Sequence, residues 1–483
     1  MQPMLLFKPF SILPGIMHNI QPENQHLHFI GIGGAGMSSM AHVLHQMGYT
    51  VSGSDTRSTE TTRYLATLGI EIFAEQVAEN IVEADLVIYS SAVPENNPER
   101  RAAREAGIPE IRRAEILGDL QRMFKTSIGV AGTHGKTTTT TLISRALESA
   151  GVKPSWVIGG IMNESEETGR LDGADYFVVE ADEYDRSFHT LSPTIAVLNN
   201  IEADHLDIYK SYDQLVDGFL VYCNKVAFYG FIAVGIDNPE LRRLIPRINR
   251  RIVTFGLADD ADYRAVNIQA DGLMSTFELS HRGQEILTIR LGVPGEHNVK
   301  NALAALAITM ELGLPVTEAV KGLESYHGIH RRFEIKDEID DIIFIDDYAH
   351  HPGEILATLE AARAGWPGHR LVAFFQPHLY SRTKSLAKEF GEALTRADVA
   401  VICEIYPARE KPIEGVTSQL IADACHMAGV PVVHYFTDTK TIPKFIHSQL
   451  RAGDVVITMG AGDIDKLNDA MRDAWRKDAN DLA

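Results

Sequence analysis

The chain contains 483 residues, a length that suggests about three domains. Hydrophobic residues make up 45% of it and charged residues 23%, the composition of a soluble globular protein. The formal net charge of −20 excludes a broad surface for nucleic acid or for an anionic membrane, because both partners need a basic face.

Cysteine usage and the N-terminal segment indicate the compartment. The three cysteines form no Cys-x-x-Cys pair, which excludes a zinc ribbon and a disulfide framework and favours a reducing environment. Lys8 and Pro9 interrupt the apolar stretch near the N-terminus, so we expect no signal peptide and treat residues 1–24 as a loosely ordered extension. No apolar run approaches the ~20 residues of a membrane-spanning helix. We therefore expect a cytoplasmic protein.

Short apolar runs alternate with amphipathic stretches, which is typical of parallel sheets with crossover helices. The predicted strands are 27–30, 50–53, 86–90, 127–131, 176–179, 195–198, 342–345, 371–375, 399–403 and 455–459. Between residues 231 and 291 the hydrophobic period is close to two, so we expect a β-rich insertion there. The pattern predicts three α/β domains, at 1–123, 124–328 and 329–483.

The first predicted strand runs into a glycine-rich turn and then a helix. Glycines let the backbone approach a diphosphate, and the helix N-terminus supplies N–H donors. The turn and first helical residues are Gly31, Gly33, Gly34, Ala35, Gly36, Met37 and Ser38. Asp55 ends the next strand, where a ribose-binding acid would lie. Taken alone, the pattern fits a nicotinamide or flavin site, any other nucleotide diphosphate, or a purely structural turn.

A second glycine turn follows the strand 127–131. It reads Gly132, Thr133, His134, Gly135, Lys136, Thr137 and Thr138, which is shorter than the full Walker pattern. Its backbone N–H groups can cradle phosphates, Lys136 can reach the β- and γ-oxygens, and the Thr137 hydroxyl can bind Mg²⁺. Two nucleotide-type turns in different domains favour an enzyme with one nucleotide-linked substrate and one ATP.

Acidic residues follow the next two predicted strands. Glu180 comes directly after the strand 176–179, so it is a candidate Mg²⁺ ligand. For Asp182, Glu183 and Asp185 individually, a solvated loop is the favoured interpretation. A single histidine in a loop is more often structural or solvated than a ligand. His205 is a candidate ligand only because acids surround it and because it follows the strand 195–198.

Nine stretches of the sequence, in order, resemble motifs of the Mur ligase family, the ATP-dependent amide-forming enzymes of peptidoglycan precursor synthesis. These stretches are residues 28–38, 132–137, 180–183, 200–207, 295–301, 331–334, 346–352, 376–378 and 460–464. The resemblance implies a Rossmann-like UDP-binding domain, a P-loop-type central ATPase domain and a C-terminal Rossmann-like α/β domain. It assigns the first glycine turn, with Asp55 and Ser90, to the UDP-sugar rather than to NAD.

The resemblance also implies roles in the other two domains. Lys136 matches the phosphate lysine, Thr137 a Mg²⁺ ligand, and Glu180 and His205 the residues of the second metal. Arg332 is expected at the nucleotide phosphates. The remaining ATP contacts are His297, Asn298, Asn301 and the ribose contact Asp347, and the amino-acid pocket is Tyr348, His350 and Arg382. The residues expected to act in catalysis are Lys136, Glu180, His205, Arg332 and His350.

The implied reaction joins L-alanine to the lactyl carboxylate of UDP-N-acetylmuramate through an acyl phosphate, using ATP and Mg²⁺. The alternative is the recycling reaction that attaches an L-Ala-D-Glu-diaminopimelate tripeptide to the same acceptor. The general base is left open among His205, His350 and His351. Leu379 stands where many family members carry an arginine, so the resemblance leaves the amino-acid carboxylate to Arg382, acting alone or with His378. We expect no nucleic-acid or membrane partner, and a monomer or homodimer.

Overall fold

The computed structural model describes residues 22, 25–162, 167–204, 206–408, 410–446 and 449–481. Of the predicted extension 1–24, only Pro22 falls within this range, and His205 lies outside it. The described chain divides into two compact units. The first contains most residues up to Val253, and the second contains Gly235–Asp237 and the chain from Thr254 onward. The predicted boundaries at 123/124 and 328/329 stay predictions.

The first unit is built from alternating strands and helices. Its strands are β1 (His26–Ile30), β2 (Thr50–Ser54), β3 (Glu71–Phe73), β4 (Leu86–Tyr89), β5 (Glu110–Arg112), β6 (Thr126–Ala131), β7 (Pro154–Val157), β8 (Gly169–Arg170), β9 (Tyr176–Glu180), β10 (Ile195–Leu198) and β11 (Phe231–Gly235). Its helices are α1 (Ala35–Gln46), α2 (Glu60–Thr67), α3 (Pro98–Ala106), α4 (Arg113–Arg122), α5 (Lys136–Ser149), α6 (Leu206–Tyr209), α7 (Tyr212–Asn224) and α8 (Pro239–Leu244). Short 3₁₀ segments lie at Ala78–Ile81, Tyr184–Thr190 and Ile245–Arg247.

The second unit begins within β12. Its strands are β12 (Ile252–Gly256), β13 (Tyr263–Asp271), β14 (Met274–His281), β15 (Gln284–Leu291), β16 (Glu334–Ile339), β17 (Ile342–Asp347), β18 (Arg370–Phe375), β19 (Val399–Cys403), β20 (Val432–Phe436) and β21 (Asp454–Met459). Its helices are α9 (Glu296–Glu311), α10 (Val316–Glu324), α11 (Pro352–Gly365), α12 (Tyr380–Leu394), α13 (Gln419–Ala428), α14 (Ile442–Ile446) and α15 (Asp465–Asp481), with a 3₁₀ turn at Thr439–Thr441.

Two arrangements of strands position the glycine turns of the first unit, and both are parallel except at the antiparallel pair β7–β8. One sheet has the order β3-β2-β1-β4-β5, and its register places Ile30 beside Ser54 and Tyr89. The strands β11-β10-β6-β9-β7-β8 are neighbours in that order, with Val130 beside Glu180 and Ala131 beside Leu198. In each arrangement the carboxyl ends of the central strands therefore meet at one edge, which is where ligands bind in such sheets.

In the second unit, β16-β17-β21-β18-β19-β20 form a six-stranded sheet that is parallel except for the antiparallel pair β16–β17. Its central strands are apolar and buried on both faces, because helices cover a parallel sheet from both sides. Antiparallel pairing joins β13 to β14 and β14 to β15.

These elements confirm the predicted α/β class. All ten predicted strands are present, with ends that differ by at most two residues, and β11 to β15 form the expected β-rich stretch, interrupted by α8. The prediction missed β3, β5, β7, β8, β16 and β20, most of which are sheet edges and lack a continuous apolar run. Among the described residues, no helix combines the length and the apolar character needed to cross a bilayer.

Candidate active site

The first glycine turn has the predicted strand–turn–helix geometry. Gly31 follows β1 with φ 76°, a left-handed conformation that favours glycine, and Gly34 caps α1. The Gly33 amide donates to Asp55 Oδ2 at 2.9 Å, and a Cβ on Gly33 would lie 2.8 Å from the same oxygen. The other Asp55 oxygen accepts from the Arg57 amide at 3.0 Å. Asp55 thus shapes the turn itself, a role that the ribose prediction did not include.

The rest of the predicted first-domain set surrounds that turn. The amides of Met37 and Ser38 donate to the Gly34 carbonyl at 2.8 and 2.9 Å, so both residues belong to the first turn of α1. Ser90 directly follows β4, the strand beside β1. These residues therefore occupy one end of the sheet, as the sequence predicts.

The second glycine turn also lies between a buried strand and a helix. Gly132 has φ 147°, and a Cβ there would approach the Cβ of Asn199 to 3.0 Å. Gly135, with φ 81°, caps α5, so the helix begins at Lys136. Both glycines are required by conformation, and the turn opens toward the positive end of the α5 dipole.

The segment after β10 holds this turn in place. The Asn200 side-chain oxygen accepts from the His134 amide at 2.8 Å, and the Thr133 hydroxyl accepts from the Glu202 amide at 2.9 Å. His134 Nε2 lies 3.1 Å from Glu202 Oε2. Sequence reasoning missed these positioning roles, although two asparagines at the carboxyl end of a strand beside β6 were a usable signal.

Lys136 is the buried cation of the site. Its Nζ donates to the carbonyls of Gly132 at 2.7 Å and Thr133 at 3.2 Å, and to the two Glu183 carboxylate oxygens at 2.8 and 3.0 Å. The Lys136 side chain is 16% exposed and that of Glu183 only 1%. The prediction that Glu183 is a solvated loop residue is therefore wrong, because it folds inward to pair with the lysine.

Burial and charge act against each other at this pair. Burial works to lower the pKa of Lys136, but the carboxylates of Glu183, Asp182 and Glu180 outweigh it and the pKa is raised. Burial raises the pKa of Glu183 to about 7, against the opposing effect of Lys136. The lysine therefore keeps its charge throughout the neutral range.

We expect Glu183→Gln to destabilise the free protein by about 1–3 kcal/mol, because it leaves Lys136 buried beside a neutral partner. Thermal unfolding without ligands measures this loss. The double variant Lys136→Met/Glu183→Gln should recover part of it, since both charges are then gone. A single variant that unfolds at the wild-type temperature would contradict a stabilising ion pair.

Glu180 and Thr137 form a pair of oxygen ligands next to the lysine. Glu180 ends β9, its Oε1 accepts from the Gly159 amide at 2.6 Å, and its carboxylate is hydrogen-bonded by the Thr137 hydroxyl. Burial raises the pKa of Glu180. Hydroxyl and carboxylate oxygens are the ligands that Mg²⁺ prefers, so this pair is chemically suited to it.

The predicted ATP contacts of the second unit cluster at the start of α9. Asn298 Nδ2 donates to the Pro294 carbonyl at 2.7 Å, and Asn301 Nδ2 donates to Asn298 Oδ1 at 3.2 Å. Both asparagines are buried, and His297 lies beside Gly295, whose φ of 94° turns the chain into the helix. In this structure the asparagines therefore serve the turn that begins α9.

Asp347 ends β17 and is strongly held. One of its oxygens accepts from the Ala349 amide at 2.8 Å, and the other accepts from the Phe333 amide at 3.1 Å and the Thr358 hydroxyl at 3.0 Å. Burial raises its pKa to about 6, while the charge of Arg332 lowers it. Asp347 thus fixes the loop at the end of β17, a role in addition to the predicted ribose contact.

Tyr348 and His350, two of the three predicted amino-acid-pocket residues, lie in ring contact in the second unit. The ring centroids of Tyr348 and His350 are 5.3 Å apart, and those of His350 and His378 are 5.9 Å apart. Burial lowers the pKa of His350 to about 4, and the nearby charge of Arg382 adds to this effect. His378 in turn stacks on Tyr406 at 5.9 Å. The result is a group of rings around an imidazole whose low pKa keeps it neutral at physiological pH.

Leu379, where the resemblance leads us to expect an arginine, lies at the start of α12 with φ 72°. Its amide donates to the Tyr406 carbonyl at 3.0 Å, and its carbonyl accepts from the Thr383 hydroxyl at 2.9 Å. A leucine in a left-handed conformation is unusual, so these two bonds hold a strained turn beside His378.

Three family models match consecutive parts of the chain. They are the Mur ligase family catalytic domain over residues 26–125, the Mur ligase middle domain over 130–309, and the Mur ligase glutamate ligase domain over 331–462.

Full-length relatives extend this similarity. The chain is 46% identical over 452 residues to UDP-N-acetylmuramate–L-alanine ligase of Geotalea uraniireducens (strain Rf4), with 94% of this chain and 98% of that protein covered. It is 44% identical over 455 residues to the ligase of the same name from Chlorobium phaeobacteroides (strain BS1), with 93% and 98% covered.

Two solved ligase structures are similar to this chain over most of its length. The crystal structure of UDP-N-acetylmuramate-alanine ligase from Thermotoga maritima matches with a TM-score of 0.80 at 30% identity, and the match covers 94% of this chain and 99% of that one. A murein peptide ligase from Psychrobacter arcticus 273-4 matches with a TM-score of 0.69 at 27% identity, with 93% and 98% covered.

Proposed function

The chain belongs to the Mur ligase family and has its three-domain α/β architecture, and we infer that it joins L-alanine to UDP-N-acetylmuramate with ATP. The observation that carries this inference is the 46% identity to an L-alanine ligase over almost the full length of both chains. The alternative, a tripeptide-adding ligase, is favoured less, because the murein peptide ligase structure matches at 27% identity and a lower TM-score. The product is a peptidoglycan precursor.

The chemistry requires activation of a carboxylate. A free carboxylate does not acylate an amine at neutral pH, because oxide would have to leave. Transfer of the ATP γ-phosphate to the lactyl carboxylate gives an acyl phosphate, and attack by the unprotonated amine of L-alanine then expels phosphate and forms the amide. The site must hold the carboxylate and the γ-phosphate in line despite their repulsion, and Lys136 supplies a buried positive charge for that purpose.

We propose that Thr137 and Glu180 hold Mg²⁺, together with His205, which lies outside the described residues. The hydroxyl–carboxylate pair beside Lys136 supports this assignment, since both groups are oxygen ligands at the phosphate turn. When bound, the ion would neutralise phosphate charge.

Glu180→Gln should raise the Mg²⁺ concentration for half-maximal activity at least about tenfold, because an amide oxygen carries no net charge to bind the ion. Phosphate release measured over a Mg²⁺ titration tests this. Asp185→Asn, an acid of the same loop, is the matched control. Superposable titrations of Glu180→Gln and wild type would remove Glu180 from the metal site.

In the second unit we propose Arg332 and Asp347 at the nucleotide, and Tyr348, His350 and Arg382 around the incoming amino acid. The proximity of these rings to a guanidinium supports a pocket for a small zwitterion. His350 and His351 stay candidates for the base, with His205. A cytoplasmic location and a monomeric or homodimeric state are part of this proposal, as are domains at 1–123, 124–328 and 329–483.

A phosphate-release assay that omits each substrate in turn tests the whole function. Activity should require ATP, UDP-N-acetylmuramate and L-alanine together. Turnover with the tripeptide L-Ala-D-Glu-diaminopimelate in place of L-alanine would reassign the enzyme within its family, and NAD(P)H binding without an ATP requirement would overturn the proposal.

A further inference from the structure

The first glycine turn contains no basic side chain. Residues 31–38 include neither lysine nor arginine, and the carboxylate of Asp55 lies against Gly33. A diphosphate bound there would receive backbone N–H groups and the helix dipole, but it would also face this acid. A positive charge from elsewhere in the fold would offset this acid and strengthen binding.

Arg113, the first residue of α4, brings such a charge to the turn. A Cβ built on Gly36 would lie 2.5 Å from Arg113 Nη1 and 3.2 Å from its Cζ, so the guanidinium lies directly against the glycine. Arg113 Nη2 is 4.0 Å from Asp182 Oδ2, which is beyond hydrogen-bond distance. The side chain is 25% exposed, so one edge of the guanidinium remains accessible to a ligand.

Contacts with residues 190–192 hold helix α4, which carries Arg113, in place. The Thr190 hydroxyl donates to the Ala114 carbonyl at 2.6 Å, and the Ser192 amide donates to Gln121 Oε1 at 2.8 Å. Gly118 packs closely on the Thr190 carbonyl, because a Cβ there would lie 2.6 Å from its oxygen. These contacts hold α4 against the 3₁₀ segment that follows the acidic loop, so the backbone of Arg113 is fixed beside the turn.

We propose that Arg113 binds the diphosphate of the UDP-sugar as the cationic partner of the glycine turn. This inference rests on the proposed function, because that function places UDP at the turn. The contact also accounts for the glycine at position 36, because a Cβ there would collide with the guanidinium. The backbone conformation of this residue does not itself require glycine. Arg112, its neighbour, has a different task, since its Nη2 pairs with Glu115 at 3.0 Å on an exposed surface.

The test compares Arg113→Met with the matched control Arg112→Met by calorimetric titration with UDP and with UDP-N-acetylmuramate. Arg113→Met should weaken both ligands about 10- to 100-fold, as expected for a lost charge-assisted hydrogen bond, and should flatten the salt dependence of UDP binding. Arg112→Met should bind both ligands as wild type does. Arg113→Lys should recover part of the loss, because it restores charge without the planar fork.

Several outcomes would overturn the assignment. If wild type binds UDP and Arg113→Met binds it equally well, the diphosphate role is wrong. A loss for UDP-N-acetylmuramate without a loss for UDP would place Arg113 at the sugar or its carboxylate instead. A parallel loss of ATP affinity and thermal stability would indicate only a structural role. If wild type itself binds no UDP, the failure lies with the proposed function.

Discussion

Lys136→Ala is expected to lower the rate of ligation by about 10³-fold or more and to change the affinity for UDP-N-acetylmuramate by less than about twofold. The rate falls because the γ-phosphate and the lactyl carboxylate lose the buried charge that opposes their repulsion. The affinity persists because the first glycine turn belongs to a different sheet, β3-β2-β1-β4-β5, from the strand that precedes Lys136. Phosphate release and calorimetric titration measure the two quantities.

The same substitution leaves Glu183 buried without its cation, so a folding defect must be separated from a catalytic one. Lys136→Ala/Glu183→Ala removes both charges and should regain thermal stability but not activity. Lys153→Ala, at a lysine side chain that is 76% exposed, should leave both unchanged. A Lys136→Ala variant that retains more than a small fraction of activity would remove this lysine from its role.

The central strands were predictable because burial on both faces forces a continuous apolar run. β10 and β19 have the predicted ends, and the turns after β1 and β6 follow from glycines whose positions allow a helix to begin at once. In both cases local sequence and tertiary structure demand the same residues.

Long-range partners could not be predicted in the same way. Glu183 looks like a loop acid in the sequence, and only the fold reveals that a lysine 47 positions earlier neutralises it. The Gly159 amide that holds Glu180 comes from beyond β7. Arg113 reaches Gly36 from the start of α4. Ion pairs and close approaches depend on where separate segments meet, which periodicity does not encode.

The pocket proposed in the second unit can discriminate between similar amino acids only to a limited extent. Glycine lacks one methyl of L-alanine, which a pocket recognises by only ~1–3 kcal/mol, or roughly 10–200-fold in kcat/KM. L-Serine adds a hydroxyl, which an apolar wall disfavours by about two orders of magnitude. Both should be slow but detectable substrates. D-Alanine and D-glutamate should be far worse, because inversion misplaces the amine and a second carboxylate would be buried unpaired.

Arg382→Ala should raise the KM for L-alanine by about 10- to 100-fold and the KM for ATP by less than about threefold. His350 cannot replace the lost charge, because burial lowers its pKa to about 4 and the imidazole stays neutral at physiological pH. Leu379 cannot replace it either, since a leucine side chain carries no charge. Arg396→Ala, at a side chain that is 55% exposed, is the matched control and should leave both constants unchanged. Equal increases in the KM values for ATP and L-alanine would show that Arg382 supports the whole unit rather than the amino-acid carboxylate. An unchanged KM for L-alanine would place the carboxylate clamp on another residue.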